Sequence, residues 1–230
     1  MENKFITNSN TNYEVKKHPY IKGLQIIEGK NNFPISWLNQ QGYCEYSLYL
    51  QYFKGIEVGQ TKDMALGSEV HEKLELKFKE KATPASFNEV VNLSKEEATI
   101  SREVFVISPK YGIRGFIDEI WMMPDSFLII DDKPGTTPYN STINQVRAYC
   151  LAFKDMINDD RQIKAALRQR GSDNIFYKED FDEFSEKNIK FLVNRMEGLF
   201  KGEKPFIPTK NPNKCNKCRF QSYCSYFKKL

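Results

Sequence analysis

The chain has 230 residues, of which 40% are hydrophobic and 28% charged, and it carries a net charge of +4 at pH 7. This is room for a core of useful size in one domain, and the mild positive charge is compatible with nucleic acid without pointing to it. The composition excludes a membrane-spanning chain, since the longest apolar runs are strand-sized, and the polar start MENKFITNSNTNYEVKK leads us to expect a cytoplasmic protein without a signal peptide.

Residues 1–33, polar and rich in Asn, Lys and Gly, read as an irregular or partly ordered arm ahead of a single domain over 34–230. The segment PISWLNQQGYCEYSLYLQYF (34–53) predicts an aromatic-rich helix interrupted at Gly42, with Pro34 and Ser36 suiting a helix start. Residues 62–81 predict an amphipathic helix, with Met64, Val70, Leu74 and Phe78 at helical spacing and His71 beside them. A polar connection with a short helix fills 82–100. Three strands are expected next, at 102–108, 112–122 and 126–133, with the turn residues PDS between the last two. A helix over 141–157 follows, then a hairpin turning at Gly171-Ser172-Asp173-Asn174, although its Ala- and Leu-rich first half also permits a helix. A last amphipathic helix spans 183–200. The tail from Pro205 is too polar for a core of its own and calls for a staple. Helix, strands, helix, hairpin and helix together predict an α/β fold, a mixed central sheet flanked by helices.

Two neighbouring strands carry acids. Asp118 interrupts the apolar run of GFIDEI, and FLIIDDK ends on Asp131, Asp132 and Lys133. Strand side chains alternate, so Asp131 and Lys133 share one face, while Asp132 takes the other and points to solvent or a local partner. A tight turn makes the strands antiparallel neighbours, so Asp118 and Asp131 can meet across the ladder. Two carboxylates on one face repel unless a cation separates them, and an oxygen-lined site suits Mg2+ or Mn2+. Such a metal polarises a phosphate, and Lys133 would orient the attacking water. Glu119 falls on the far face from Asp118, and both it and Glu103 are left outside the expected metal shell.

Three of the five cysteines, Cys215, Cys218 and Cys224, cluster in the tail. In a reducing compartment this spacing points to metal rather than disulfides. Zinc is one candidate; thiolate-only coordination also serves a [4Fe–4S] cluster. Cys150 falls in an apolar helix and reads as packing. Lys214, Lys217, Arg219, Lys228 and Lys229 alternate with Phe220, Tyr223, Tyr226 and Phe227, a mixture that suits single strands as well as a solvated tail.

With these residues in place the sequence resembles the PD-(D/E)XK nuclease superfamily, with Asp118 as first acid and Asp131-x-Lys133 as the second part of its motif. It is similar to the RecB-like branch with an iron–sulfur cluster, which includes CRISPR-associated exonucleases. His71 matches that branch's upstream histidine, and Gln145 with Tyr149 match its Q-x-x-x-Y motif. Cys44 with Cys215, Cys218 and Cys224 match its cysteine pattern. The resemblance implies a restriction-endonuclease-like core with a cysteine-stapled tail. It also implies His71, Asp118 and Asp131 as Mg2+ or Mn2+ ligands and Lys133 as the residue assisting the nucleophile. Gln145 and Tyr149 would hold that lysine or touch the DNA backbone, and Cys44 would bring the fourth thiolate to a [4Fe–4S] cluster. The implied activity is a metal-dependent DNA exonuclease acting on single strands from the 5′ end, in CRISPR spacer acquisition beside an integrase complex. A stand-alone repair or mobile-element nuclease, a DNA-binding adaptor and a zinc-stapled structural protein are the competing readings.

Overall fold

The computed structural model describes residues 1–7, 13–59 and 62–227, without the side chains of 62–66. The chain opens with four short strands, β1 (Glu2–Ile6), β2 (Val15–Lys17), β3 (Gln25–Ile27) and β4 (Lys30–Pro34). Helices α1 (Ser36–Tyr43) and α2 (Glu45–Leu48) follow, the second running into a π-helical turn at Tyr49–Phe53. Next come α3 (Lys62–Lys79), β5 (Thr83–Ala85) and α4 (Phe87–Leu93). The middle of the chain forms β6 (Thr99–Ser108), β7 (Ile113–Met122), β8 (Ser126–Lys133) and α5 (Asn140–Met156). It ends with β9 (Gln162–Gln169), β10 (Ile175–Asp180), α6 (Glu183–Phe200) and α7 (Pro212–Asn216).

The pairing around β7 positions the site. Antiparallel β6 runs along the whole of one edge of β7. The other edge is shared: parallel β4 pairs with Ile113 and Arg114, while antiparallel β8 pairs with residues from Glu119 to Met122. Residues 115–118 therefore lie in a gap between two strands that diverge from one edge. Beyond β8 the sheet continues through parallel β9, reached by way of α5, and antiparallel β10. Parallel neighbours need such a crossover.

The core lies mainly between the sheet and α5. Val146, Tyr149, Cys150 and Phe153 of α5 are buried in one cluster with Ile117, Ile120, Phe127 and Ile129. A smaller cluster, Leu128, Ile130 and Ala166, fills the other face. Seven of the eight residues of β8 are buried, as a continuous apolar strand requires when both faces are covered. The mixed sheet flanked by helices is the architecture expected from the sequence.

Three local expectations need correction. Residues 1–33 supply strands rather than an irregular arm: β1 pairs in parallel with β6 and β5, and β2 to β4 extend the sheet from β7. The first helix breaks at Cys44, whose backbone is extended, rather than at Gly42. Gly42 serves close packing instead, since a Cβ there would stand 2.8 Å from the Ser141 side chain of α5. The connection over 82–100 carries a strand as well as a helix, α4, which begins with a Ser86–Glu89 capping box. Met64, Lys228 and Lys229 fall outside the described side chains.

Candidate active site

The gap in β7 gathers the acids that the sequence singled out. Asp118 lies at its lower end, and continuing the β7–β8 register past Glu119 and Ile130 sets it opposite Asp131. Asp118 Oδ2 accepts a 2.6 Å hydrogen bond from the Asp132 peptide N–H. Lys133 Nζ stands 2.6 Å from Asp131 Oδ2 and donates to Gln145 Oε1 at 2.9 Å. Gln145 Nε2 donates in turn to the Tyr149 hydroxyl at 3.4 Å. Gln145 and Tyr149, one turn apart on α5, thus reach Lys133 as one chain of contacts.

Helix α3 brings His71 across the same gap. Its Nε2 lies 3.1 Å from Asp118 Oδ1 and 2.9 Å from Glu103 Oε1. Glu103 is the residue on β6 opposite Asp118, and its backbone adopts φ +52°. A non-glycine residue rarely holds that conformation, and such strain clusters where side chains are held for function. The sequence reading left Glu103 out; the structure brings it in beside His71. Glu75, one turn along α3 from His71, joins them: ligand atoms of His71, Glu75 and Glu103 lie within 4.8 Å of one another. Helical spacing from His71 could have revealed Glu75, but nothing in the sequence marks the turned backbone of Glu103.

Burial and charge set the protonation of this group. Complete burial, reinforced by the nearby Asp118 charge, pushes Asp131 up to about 7 against the pull of Lys133. Burial works the same way on Asp118, but hydrogen bonds from His71 and the Asp132 peptide outweigh it and hold that carboxyl below its usual value. A hydrogen bond to Asp118, with the Glu103 carboxylate beside it, raises His71 to about 10. Burial raises the Tyr149 hydroxyl well above the usual tyrosine value. Without metal, the imidazolium proton is what keeps the carboxylates together.

The donor set fits a divalent metal ion. One imidazole and several carboxylates offer the nitrogen and oxygen donors that such an ion takes. Two buried oxygens, Glu103 Oε1 and Asp131 Oδ2, have cationic or imidazole nitrogens at ion-pair distance but receive no properly directed hydrogen bond. Both oxygens keep lone pairs that a metal ion could take.

Residues 86–225 match the model of the PD-(D/E)XK nuclease superfamily. The chain belongs to that superfamily. Membership brings a nuclease with a restriction-endonuclease-like core, the use of divalent metal and DNA as the substrate class. Among solved structures, the chain resembles a presumed exonuclease from Eubacterium rectale, with a TM-score of 0.50 at 13% identity over 86% of this chain and 90% of that one. It also resembles SSO0001, with a TM-score of 0.44 at 16% identity over 87% and 88% of the two chains. At these identities the likeness concerns the fold. No curated protein sequence matches the chain.

The far face of this PD-(D/E)XK sheet decides between solvent and a local partner for Asp132. That residue does leave the site face, but it does not reach solvent: it is 1% exposed. Arg168 donates to it through Nε at 2.8 Å and Nη2 at 3.1 Å, and Arg102 through Nη2 at 3.3 Å. The same two arginines bind Glu119, which also accepts from Trp121 Nε1 at 2.7 Å. The strand segment that carries Asp131 and Lys133 is thus clamped from behind.

Four of the five cysteines come together away from the acids in sequence. Cys44, Cys215, Cys218 and Cys224 all border one pocket, together with Tyr43 and Thr209. The Thr209 peptide donates to Cys44 Sγ at 3.3 Å, and Lys214 Nζ donates to Gly42 O at 2.9 Å. Cys150 is fully buried in the core, as expected. Of the tail aromatics, Phe220 is buried, while Tyr223 and Tyr226 are exposed. Among the described residues no helix is long and apolar enough to cross a membrane.

Proposed function

We propose that the chain is an Mg2+- or Mn2+-dependent deoxyribonuclease that degrades single-stranded DNA as an exonuclease from the 5′ end. The observation that carries this reading is the meeting of His71 and Asp118 with Asp131 and Lys133 at the one gap beside β7. His71, Asp118 and Asp131 would hold the metal, with Glu103 beside them. Bound there, it supplies Lewis-acid polarisation of the scissile phosphate and acidifies water. Lys133 neutralises charge developing on the attacked phosphate and orients the incoming water. Gln145 and Tyr149 fix the lysine in that pose, and the Asp132 peptide fixes Asp118. The nuclease domain in this reading is 34–230, with 1–33 adding strands to its sheet.

Cys44, Cys215, Cys218 and Cys224 hold a [4Fe–4S] cluster in the same reading. Its support is a single pocket bordered by all four thiols. The pathway we propose is CRISPR spacer acquisition in the cytoplasm beside an integrase complex, supported by the motif order shared with the RecB-like branch.

The test is digestion of 5′- and 3′-labelled single strands with Mn2+ by anaerobically purified protein. The reading expects early release of short 5′-labelled products while 3′-labelled strands shorten gradually. Cutting of circular single strands would replace the exonuclease with an endonuclease. No cutting by folded, metal-loaded protein would favour the DNA-binding adaptor.

A further inference from the structure

Beside the metal-binding acids, β6 and β7 present an aromatic pair that the chemistry above does not use. Phe105 and Phe116 face each other across the ladder, two positions along from Glu103 and Asp118. Their ring centroids are 5.0 Å apart with the planes tilted by 52°. Phe116 is 53% exposed, although it stands on the central strand of the sheet. One side of its ring leans on Phe105 and the other is open.

The pair borders a groove of about 330 Å3 whose walls include Pro34, Ile35, Gly115 and Tyr149. This groove is the open edge of β7 between β4 and β8. Its inner end is Tyr149, whose hydroxyl accepts the hydrogen bond from Gln145, the partner of Lys133. Gly115 keeps the groove open beneath that ring: a Cβ there would lie 2.9 Å from the Tyr149 ring. Arg114, at the rim, is already committed to Asn32 and the Gly23 carbonyl, so the groove offers an aromatic face rather than a free cation.

We propose that Phe116, backed by Phe105, is a stacking subsite for one unpaired base of the DNA strand, adjoining the phosphate that is cut. The proposal rests on the nuclease reading and specifies how that site takes its substrate. Inside a duplex both faces of a base are covered by its neighbours, so only an unpaired or terminal base can lie on Phe116. Stacking tolerates any base, because each has a π-face. The subsite thus selects strand state rather than sequence.

The test is binding, separated from cutting by the Lys133→Ala background with Mn2+ present. The probe is a single-stranded oligonucleotide with 2-aminopurine at successive positions, beside a blunt duplex of the same sequence. Adding Phe116→Ala is expected to weaken single-strand binding by about 5- to 150-fold and to abolish the fluorescence quenching at one position near the end. Phe116→Trp should restore both, and Phe116→Leu should not. Mn2+ affinity and melting temperature should stay unchanged in all three. Unaltered single-strand affinity in Phe116→Ala, or no single-strand binding by the parent protein, overturns the subsite. So does a concentration-dependent dimer that Phe116→Ala dissolves while DNA binding persists, which would assign the pair to contact between copies. Cutting by the wild type is scored separately, so failure of the nuclease reading and failure of the subsite remain distinct.

Discussion

Lys133 and Asp132 are adjacent in sequence and face opposite environments. Lys133 meets Asp131 and Gln145 at the gap, whereas Asp132 is locked between Arg168 and Arg102 on the far face. Removing the Asp132 carboxylate would leave two buried guanidinium groups short of an acceptor. Breaking a buried pair by deleting one partner typically costs about 3–5 kcal/mol. Asp132→Ala is therefore expected to lose stability on that scale in urea unfolding, and Lys133→Ala much less. Equal unfolding midpoints for the two variants would contradict the clamp. Sequence alternation separated these two residues correctly. It could not supply the partners of Asp132, because Arg102 and Arg168 come from strands 30 and 36 positions away and meet only once the register is set.

Helices α5 and α6 are joined by charge as well as packing. Glu186 accepts from Lys154 at 2.7 Å and from Lys190 within its own helix. Burial would raise Glu186, but the two lysines outweigh it and lower its pKa below the usual glutamate value. A carboxyl lowered on folding adds stability above its unfolded pKa and loses it as pH falls through the folded one. The Glu186 contribution is thus present above about pH 4.5 and fades below it. With exposed lysine partners it is worth under about 1 kcal/mol. Glu186→Gln should lower the urea midpoint slightly at pH 7 and by less at pH 3; an equal shift at both would contradict the pairing. At this scale α6 and the strands β6 to β8 were legible, because their apolar periods are regular and their turn residues explicit. The strands β1 to β5 were not, since they are short and polar and owe their existence to neighbours already in the sheet. Gly42 misled for a related reason: it answers to the surface of α5 rather than to its own helix.

Across the whole molecule, two chemistries sit apart in one chain. The acids gather at the gap in the sheet, and thiols from the start of α2 and from the tail border one pocket. Protein contacts already connect those segments: the Ile207 peptide donates to Glu45 Oε2 at 3.0 Å, and the Tyr43 hydroxyl donates to Lys214 O. A cluster on Cys44 and the tail would close a loop spanning most of the sequence and restrict the unfolded chain. Cys218→Ala is expected to yield colourless protein with less iron and a lower melting temperature, while molecules that remain folded still cut DNA. Unchanged iron content and melting temperature would remove the cluster from the account. The order of motifs along the sequence marked His71, Asp118, Asp131 and Lys133, residues that the fold brings to the gap. It did not foretell Glu75 and Glu103 joining His71, which depends on how α3 crosses a strained turn of β6.

The most direct test of the central claim is Mn2+-dependent cleavage of end-labelled single-stranded DNA by the wild type beside Lys133→Ala, both shown to be folded and to bind Mn2+ equally. The account predicts cutting by the wild type and a loss of about 10²- to 10⁴-fold in the variant. Equal rates in the two proteins, or no cutting by either, would contradict it.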